Sequence, residues 1–498
     1  MAFYRVRGYR KARLFNAFSN SLASLPGSQL TTGVALVVTP DLFGGHMATL
    51  IETKIGESKG KPRIFLEGRR IAREGISPGD RFSFRVQEDR ITITFGEGER
   101  TVSKRKDMPV LDIRHETISL FGDNGRIRVL VTQNRILILK HFVDEAKAER
   151  LKQILDAMKT GMLRTASLFH GGGVASRALH EGLELSGAPS RISLAVEQEG
   201  VYMDQSLKAN KHMFDEHSLV LNCPVQSIRW NRSGIPRADL IEMGIPCLGA
   251  STAGRAKRGL GSAEEHPDAG VLFYSGLRSI EAMNPAIVVM ENVVQFANTA
   301  SATIIRGVLS SMGYDVAEII LKGSDYGAFE DRERWLLLAT TPGLTEEMDL
   351  ANITRYQTAP PPSFADIQDE HDDHTWSDYT YLTEKESRDI ASGKGFRMQR
   401  IIPSASRCGA ITRGYAKVRS TDPLLQREDG KLRLFSPTEH AKAKTIPPAM
   451  VDGLSATIAH QILGQSVIYN WFVAVGRVIG SGLVAITNQQ LGQCSKIA

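Results

Sequence analysis

Polar and apolar positions alternate with a period of two in the first third of the chain. Arg81-Phe82-Ser83-Phe84-Arg85-Val86 and Arg126-Ile127-Arg128-Val129-Leu130-Val131 read as half-buried strands. Arg90-Ile91-Thr92-Ile93 and Arg135-Ile136-Leu137-Ile138 repeat at the same offset of 45 residues. Turn signals separate these runs at Ser77-Pro78-Gly79-Asp80, Gln87-Glu88-Asp89, Asp123-Asn124-Gly125 and Gln133-Asn134. The pattern predicts two related hairpins in a β-rich domain over residues 31–142, closed as a small barrel or sandwich. From Val143 the period changes. Leu151, Ile154, Leu155 and Met158 form one stripe of a connecting helix over 143–160. Residues 161–341 then alternate short apolar runs (192–197, 238–243, 286–290, 335–339) with helix-like stretches such as Val174–Leu185. That rhythm predicts an α/β domain with a mainly parallel sheet.

Residues 342–405 break the rhythm. They hold Pro360, Pro361 and Pro362, an acidic run over 366–373, and Trp376, Tyr379 and Tyr381. Lys394-Gly395-Phe396-Arg397-Met398-Gln399-Arg400 follows. Residues 406–475 regain regular spacing, with a helix predicted over 452–463. The tail, 476–498, carries no pattern. Residues 1–30 open as a basic arm with Arg5, Arg7, Arg10, Lys11 and Arg13, then turn serine-rich.

A chain of 498 residues has room for two or three domains, and 42% hydrophobic residues suffice for a core. The net charge of +6 suits a polyanionic partner. No membrane segment is expected: the nearest apolar stretch, 466–485, is interrupted by Asn470, Arg477 and several glycines. The N-terminus lacks the apolar centre of a signal peptide. Cys223, Cys247, Cys408 and Cys494 are scattered, so neither a disulfide framework nor a zinc site is expected. His371 and His374, among acids, read as part of a solvated loop rather than a metal site. A cytoplasmic setting fits this cysteine usage.

Candidate chemistry gathers at strand ends, where open α/β sheets keep their sites. Gly244-Ile245-Pro246-Cys247 puts a thiol on a loop stiffened by proline. Phe169-His170-Gly171-Gly172-Gly173 is a glycine turn between a strand and a helix, open to close approach by a cofactor. Glu197 ends the next strand, where an acid takes ribose hydroxyls in nucleotide-type folds. Glu291-Asn292-Val293 and Arg332-Glu333-Arg334 flank later strands. Singly, each has a plain structural reading: buried thiol, strand cap, surface ion pair.

Together, in this order, these segments resemble the cytosine-5 DNA methyltransferase family over roughly residues 163–475. Phe169 to Gly173 looks like its first cofactor motif, Pro246-Cys247 its nucleophile motif with Ser251 following, and Glu291-Asn292-Val293 its Glu-Asn-Val motif. Arg332-Glu333-Arg334 looks like the arginine motif. Arg433 through Ser436-Pro437 to Glu439 resembles the ninth motif, and Gly464-Gln465-Ser466-Val467 the tenth. The sequence departs from the family at Val174 (usually Gly), Leu248 (usually Gln), Glu330 (usually Gln) and at Gln226 or Ser227, where an acid is usual. None of these removes a bond-making group.

The resemblance implies a Rossmann-like, S-adenosylmethionine-dependent methyltransferase sheet, with 342–405 as a small target recognition region. It implies S-adenosyl-L-methionine held by Phe169, Gly171, Gly173, Glu197, Ser466 and Val467, and no metal. It makes Cys247 the nucleophile, Glu291 the partner of the base's ring nitrogen, Arg334 the contact to its carbonyl oxygen, and Arg332 a support beside it. Double-stranded DNA would meet Ser251, Lys394, Arg397 and Arg400, with the target cytosine flipped out. The expected setting is a monomer in a bacterial cytoplasm, encoded by the host, a phage or a plasmid, with or without a cognate restriction endonuclease. Two other readings stay open: a degenerate methylase acting as a DNA-binding regulator or decoy, and a tRNA cytosine methyltransferase. The run from Ile71 to Asp80 faintly resembles swapped-hairpin DNA-binding regulators. Its arginines, and those of the arm, fit either a DNA face or an ordinary wet surface.

Overall fold

The computed structural model describes residues 48–87, 90–121, 125–231, 234–246, 270–370, 375–394 and 397–494. The chain divides between Phe142 and Val143 into two compact units.

The N-terminal unit has two antiparallel sheets. One orders Thr49–Lys54, Arg126–Thr132, Arg135–Lys140, Arg90–Phe95, Arg81–Val86 and Arg100–Thr101 side by side. The other orders Gly56–Ser58, Lys61–Glu67, Met108–Arg114 and Ser103–Arg105. The two repeated hairpins lie next to each other, and their register is symmetric. Ile91 faces Ile138 and Ile93 faces Ile136, so each residue opposes the repeat counterpart of its neighbour. The second sheet does the same: Ile64 faces Ile113 and Leu66 faces Leu111. The repeat therefore reaches further upstream than the 45-residue offset alone showed. Two homologous halves pair about a local twofold, which buries Ile64, Ile91, Ile93, Ile113, Ile136 and Ile138 in one core.

The second unit opens with α1 (Phe142–Thr160) and continues as β1 (Leu163–Leu168), α2 (Val174–Leu185), β2 (Ser190–Val196), α3 (Gly200–Ala209), β3 (Leu219–Leu221), β4 (Leu240–Gly244), α4 (Leu272–Met283), β5 (Ile287–Asn292), α5 (Ala300–Ser311), β6 (Asp315–Lys322) and β7 (Glu333–Thr340). The sheet order is β3-β2-β1-β4-β5-β7-β6. Strands from β3 to β5 are parallel, and β7 runs antiparallel between β5 and β6. The central strands β4, β5 and β7 are buried on both faces, which is why they are nearly all apolar, whereas the edge strand β6 is largely exposed. Leu240, Val289, Leu336 and Leu338 join the core on one face. Ile241, Met243, Val288, Met290 and Leu337 join that on the other.

After β7 come α6 (Thr380–Ala391), β8 (Gln399–Ile401), β9 (Pro423–Gln426), β10 (Leu432–Arg433), α7 (Pro437–Ala443), α8 (Ala456–Gln465) and α9 (Tyr469–Cys494). β8 pairs with β9, and β9 with β10, in one small sheet. That sheet crosses the boundary expected at 405. Ile401 packs with Ile411, Tyr415, Leu425 and Phe435, so the interposed region has its own core and extends to about the ninth motif.

The tail expected to be patternless from 476 lies inside α9. Its glycines looked like breaks, yet they are contacts. A Cβ on Gly476 would meet the Leu179 carbonyl oxygen at 2.4 Å, and one on Gly182 would meet the Val473 carbonyl oxygen at 2.1 Å. α2 and α9 thus touch backbone to backbone. By length and composition α9 could cross a membrane, but Trp471, Val475, Ile479 and Leu483 are buried in the sheet-side core, as in a core helix.

Gly182→Leu should therefore destabilise this unit by about 3 kcal/mol or more, through overpacking and helix separation. Gly307→Ala should stabilise by about 0.5–1 kcal/mol, because that helical glycine is exposed and nothing lies within 4 Å of its added Cβ. Equilibrium urea denaturation checks both signs.

Candidate active site

The glycine turn between β1 and α2 is built from left-handed residues. Phe169 has φ +58°, Gly171 +58° and Gly173 +75°. A non-glycine residue such as Phe169 holds that conformation at a cost, and such strain clusters at functional sites. Glu197, at the end of β2, accepts from the Gly171 backbone N–H at 2.7 Å and from the Glu199 N–H at 2.9 Å. The tenth motif reaches the same turn: an added Cβ on Gly172 would strike Ile462 at 2.5 Å, and one on Gly171 would lie 3.7 Å from Gln465. Phe169, Gly171, Gly173 and Glu197 are thus brought together. Ser466 and Val467 follow Gln465, with the Val467 side chain buried in the core. Left-handed backbone open to close approach, a carboxylate at the strand end and an acid-braced loop fit a nucleoside-bearing cofactor.

Val174, a departure from the family pattern, is 2% exposed and packs in the core as the first residue of α2. Gln226 and Ser227 are exposed in a short turn, Val225–Ser227, after β3.

The second half of the site lies where β4 and β5 end. Gly244 stands beside Glu291 in the parallel register. Asn292 donates from Nδ2 to the Ile245 carbonyl oxygen at 2.9 Å and so anchors the chain just before Pro246. Glu291 Oε1 is 2.9 Å from Arg334 Nε, which comes from β7. Both side chains keep a small exposed fraction, 14% and 16%. Cys247 and Ser251 lie outside the described residues, as do Leu248, His371 and His374.

Arg332 is buried. It reaches Glu330 Oε1 at 3.2 Å and the Gly464 carbonyl oxygen at 3.4 Å, bracing the arginine motif against the tenth motif. Glu330 also lies 3.3 Å from Lys444 Nζ, and both side chains are fully buried. Lys444 donates in turn to the Ser466 carbonyl oxygen at 3.3 Å. The carboxylate that replaces the family's usual glutamine therefore has a cation to match it. Lys444 escaped the sequence reading. Nothing near it in the sequence signals that it faces Glu330. The ninth motif is architectural as well. Arg433 holds Glu439 with two hydrogen bonds of 2.7 and 2.8 Å. Ser436 and Glu439 form a capping box at the start of α7, with Pro437 in its first turn.

In the interposed region Lys394 and Arg397 are exposed. Arg400 is half-buried and donates to Glu386 Oε2 at 2.7 Å, which ties β8 to α6.

The strand order and connections are those of a Rossmann-like α/β methyltransferase fold. A family model for C-5 cytosine-specific DNA methylases matches residues 165–481, and the chain belongs to that family of DNA (cytosine-5) methyltransferases. It is 25% identical over 264 residues to the type II methyltransferase M.NlaX of Neisseria lactamica, covering 52% of this chain and 80% of that protein. It is 26% identical over 268 residues to M.HhaI of Haemophilus parahaemolyticus, covering 51% and 79%. The fold is similar to that of the S. pombe Dnmt2 methyltransferase, with a TM-score of 0.51 and 19% identity over 66% of this chain and 99% of that one.

Glu330→Gln should make the buried Lys444 shed its proton, at a cost of about 1.4 kcal/mol at pH 6, one unit below its value of about 7. Adding Lys444→Met should restore most of it. Burial, then the charge of Arg332, pulls Lys444 down from 10.5 to about 7. Between those values the unfolded chain binds the extra proton, so this group makes stability rise with pH. Lys444→Met should flatten the rise; denaturation midpoints at pH 7 and 9 test it.

Proposed function

We propose that this chain methylates carbon 5 of a flipped-out cytosine in a short double-stranded DNA target, through a covalent bond to Cys247. The observation that carries this reading is the Glu291–Arg334 contact at the sheet end, beside the strand that leads into Pro246-Cys247. Carbon 5 of cytosine is a weak nucleophile. A thiolate added at carbon 6 makes it enamine-like, and negative charge builds at ring nitrogen 3. Glu291 shares a proton with that nitrogen, while the planar guanidinium of Arg334 orients the base by its carbonyl oxygen. S-adenosylmethionine, when bound, supplies an electrophilic methyl group; the left-handed turn at Phe169, Gly171 and Gly173, with Glu197, would hold it. Loss of the carbon 5 proton then lets the Cys247 thiolate leave. The target must leave the duplex stack for this attack.

The departures from the family pattern favour an active enzyme over a decoy. Val174 is a packed core residue, and Glu330 is balanced by Lys444. The N-terminal unit presents Arg69, Arg70, Arg81, Arg85, Arg90, Arg126 and Arg135 at its surface, which suits it to phosphate contacts.

Fluorine at carbon 5 cannot leave as a cation, so DNA with 5-fluorocytosine at the target should trap a denaturation-resistant adduct in the presence of S-adenosylmethionine. Cys247→Ser should abolish the adduct and leave DNA binding largely intact. A trapped peptide containing Cys223, Cys408 or Cys494 instead overturns the assignment.

Residues 143–498 alone should methylate the same sites as the full chain. They should bind DNA less tightly and with a shallower dependence on salt. A changed methylation pattern would show that the N-terminal unit selects the target.

A further inference from the structure

At and beneath the glycine turn runs a chain of buried polar groups that the mechanism does not use. His170 Nδ1 is 2.7 Å from Ser167 Oγ, and its Nε2 is 2.7 Å from Ser206 Oγ. Ser167 donates to Glu242 Oε1 at 2.5 Å, across the β1–β4 ladder in which the two residues are paired. The Ser176 hydroxyl bonds to the same Glu242 oxygen. At the other end Asn210 Nδ2 donates to Ser206 Oγ at 3.0 Å.

One direction of donation fits these contacts. Arg177 donates to Asn210 Oδ1 at 3.4 Å, so the amide offers its NH₂ to Ser206. With that hydrogen bond accepted, the Ser206 hydroxyl is free to give its own proton to His170 Nε2, 2.7 Å away. A neutral imidazole that accepts at Nε2 donates from Nδ1, here to Ser167, which passes its proton toward Glu242. The turn rests directly on these groups. A Cβ on Gly173 would lie 2.2 Å from Ser206 Oγ, 2.5 Å from Asn210 Nδ2 and 2.9 Å from His170 Nε2.

We infer that His170 and Glu242 are positioning residues: one directed hydrogen-bond chain locks the cofactor turn to the strand that leads into Pro246-Cys247. The inference rests on the reading of that turn as the S-adenosylmethionine site. A wrong tautomer, or an apolar residue at either place, unseats the turn without touching the DNA surface. Burial supports the assignment on both sides: it holds the His170 ring neutral, down to about 4, and drives the Glu242 carboxyl up, with the charge of Glu291 acting in the same direction. Glu242 accepts from the two serines, whose hydrogen bonds pull the other way and favour its charged form.

The test uses the full chain, S-adenosylmethionine binding by calorimetry and methylation kinetics. Glu242→Leu and Ser167→Ala should each raise the cofactor Kd and KM by about ten-fold, the worth of one buried hydrogen bond, with DNA affinity unchanged. Glu242→Gln keeps the accepting oxygen and should stay near wild type. Ser167→Ala is small enough to fold if Glu242→Leu does not. Histidine 15N spectra should show His170 protonated at Nδ1. Wild-type cofactor affinity in a folded Ser167→Ala variant, damage by Glu242→Gln equal to that by Glu242→Leu, or an Nε2–H tautomer would each overturn the inference. Should the wild-type chain bind no S-adenosylmethionine, the functional reading itself fails; the tautomer, read without cofactor or DNA, still tests the hydrogen-bond chain.

Discussion

The register of β1, β4 and β5 is the constraint on which the site depends. Three parallel strands, buried on both faces, bring Ser167 beside Glu242 and Gly244 beside Glu291. A slip of one residue would turn each strand's buried set to the wrong face. The two hydrophobic clusters on either side forbid that slip, since Leu240 and Val289 belong to one and Ile241 and Val288 to the other. The polar groups at the strand ends are therefore placed by packing of the apolar residues behind them. Arg334 completes the arrangement because β7 runs antiparallel to β5 and starts where β5 ends, with Asn292 opposite Trp335.

Around this frame the protein invests in buried polar contacts that tie distant segments together. Arg332 and Lys444 join the arginine motif to the tenth motif through Glu330, Gly464 and Ser466. Arg433 and Glu439 tie the small sheet to α7. Such pairs add little net stability over apolar packing but are costly to break, so they specify one arrangement of the loops. Close backbone contact does the same for α2 and α9, where Gly182 and Gly476 leave no room for a side chain.

Much of this was legible in the sequence. The Val/Ile-rich runs located the strands, and Val174–Leu185 was read with its observed bounds. The 45-residue repeat gave the hairpins, though not the symmetric register that pairs Ile91 with Ile138. What escaped depends on partners far away in the chain. Glycines in α9 read as breakers because their contact, α2, lies nearly 300 residues earlier. Lys444 looked like one more surface lysine, since nothing local reveals that Glu330 faces it. His170 and Glu242 were invisible as a pair because their link runs through Ser167 and only the sheet register joins them. The bound at 405 failed for a related reason: β9 and β10 are too short and mixed in composition to announce that they pair with β8.

The proposed activity of this sheet end is modification of cytosine at carbon 5. Bisulfite sequencing of DNA from cells expressing the chain tests it most directly. Protected cytosines are expected at one short recurring sequence, and none there in cells that carry Glu291→Ala. Fully converted DNA from cells that hold the folded wild-type chain would contradict it.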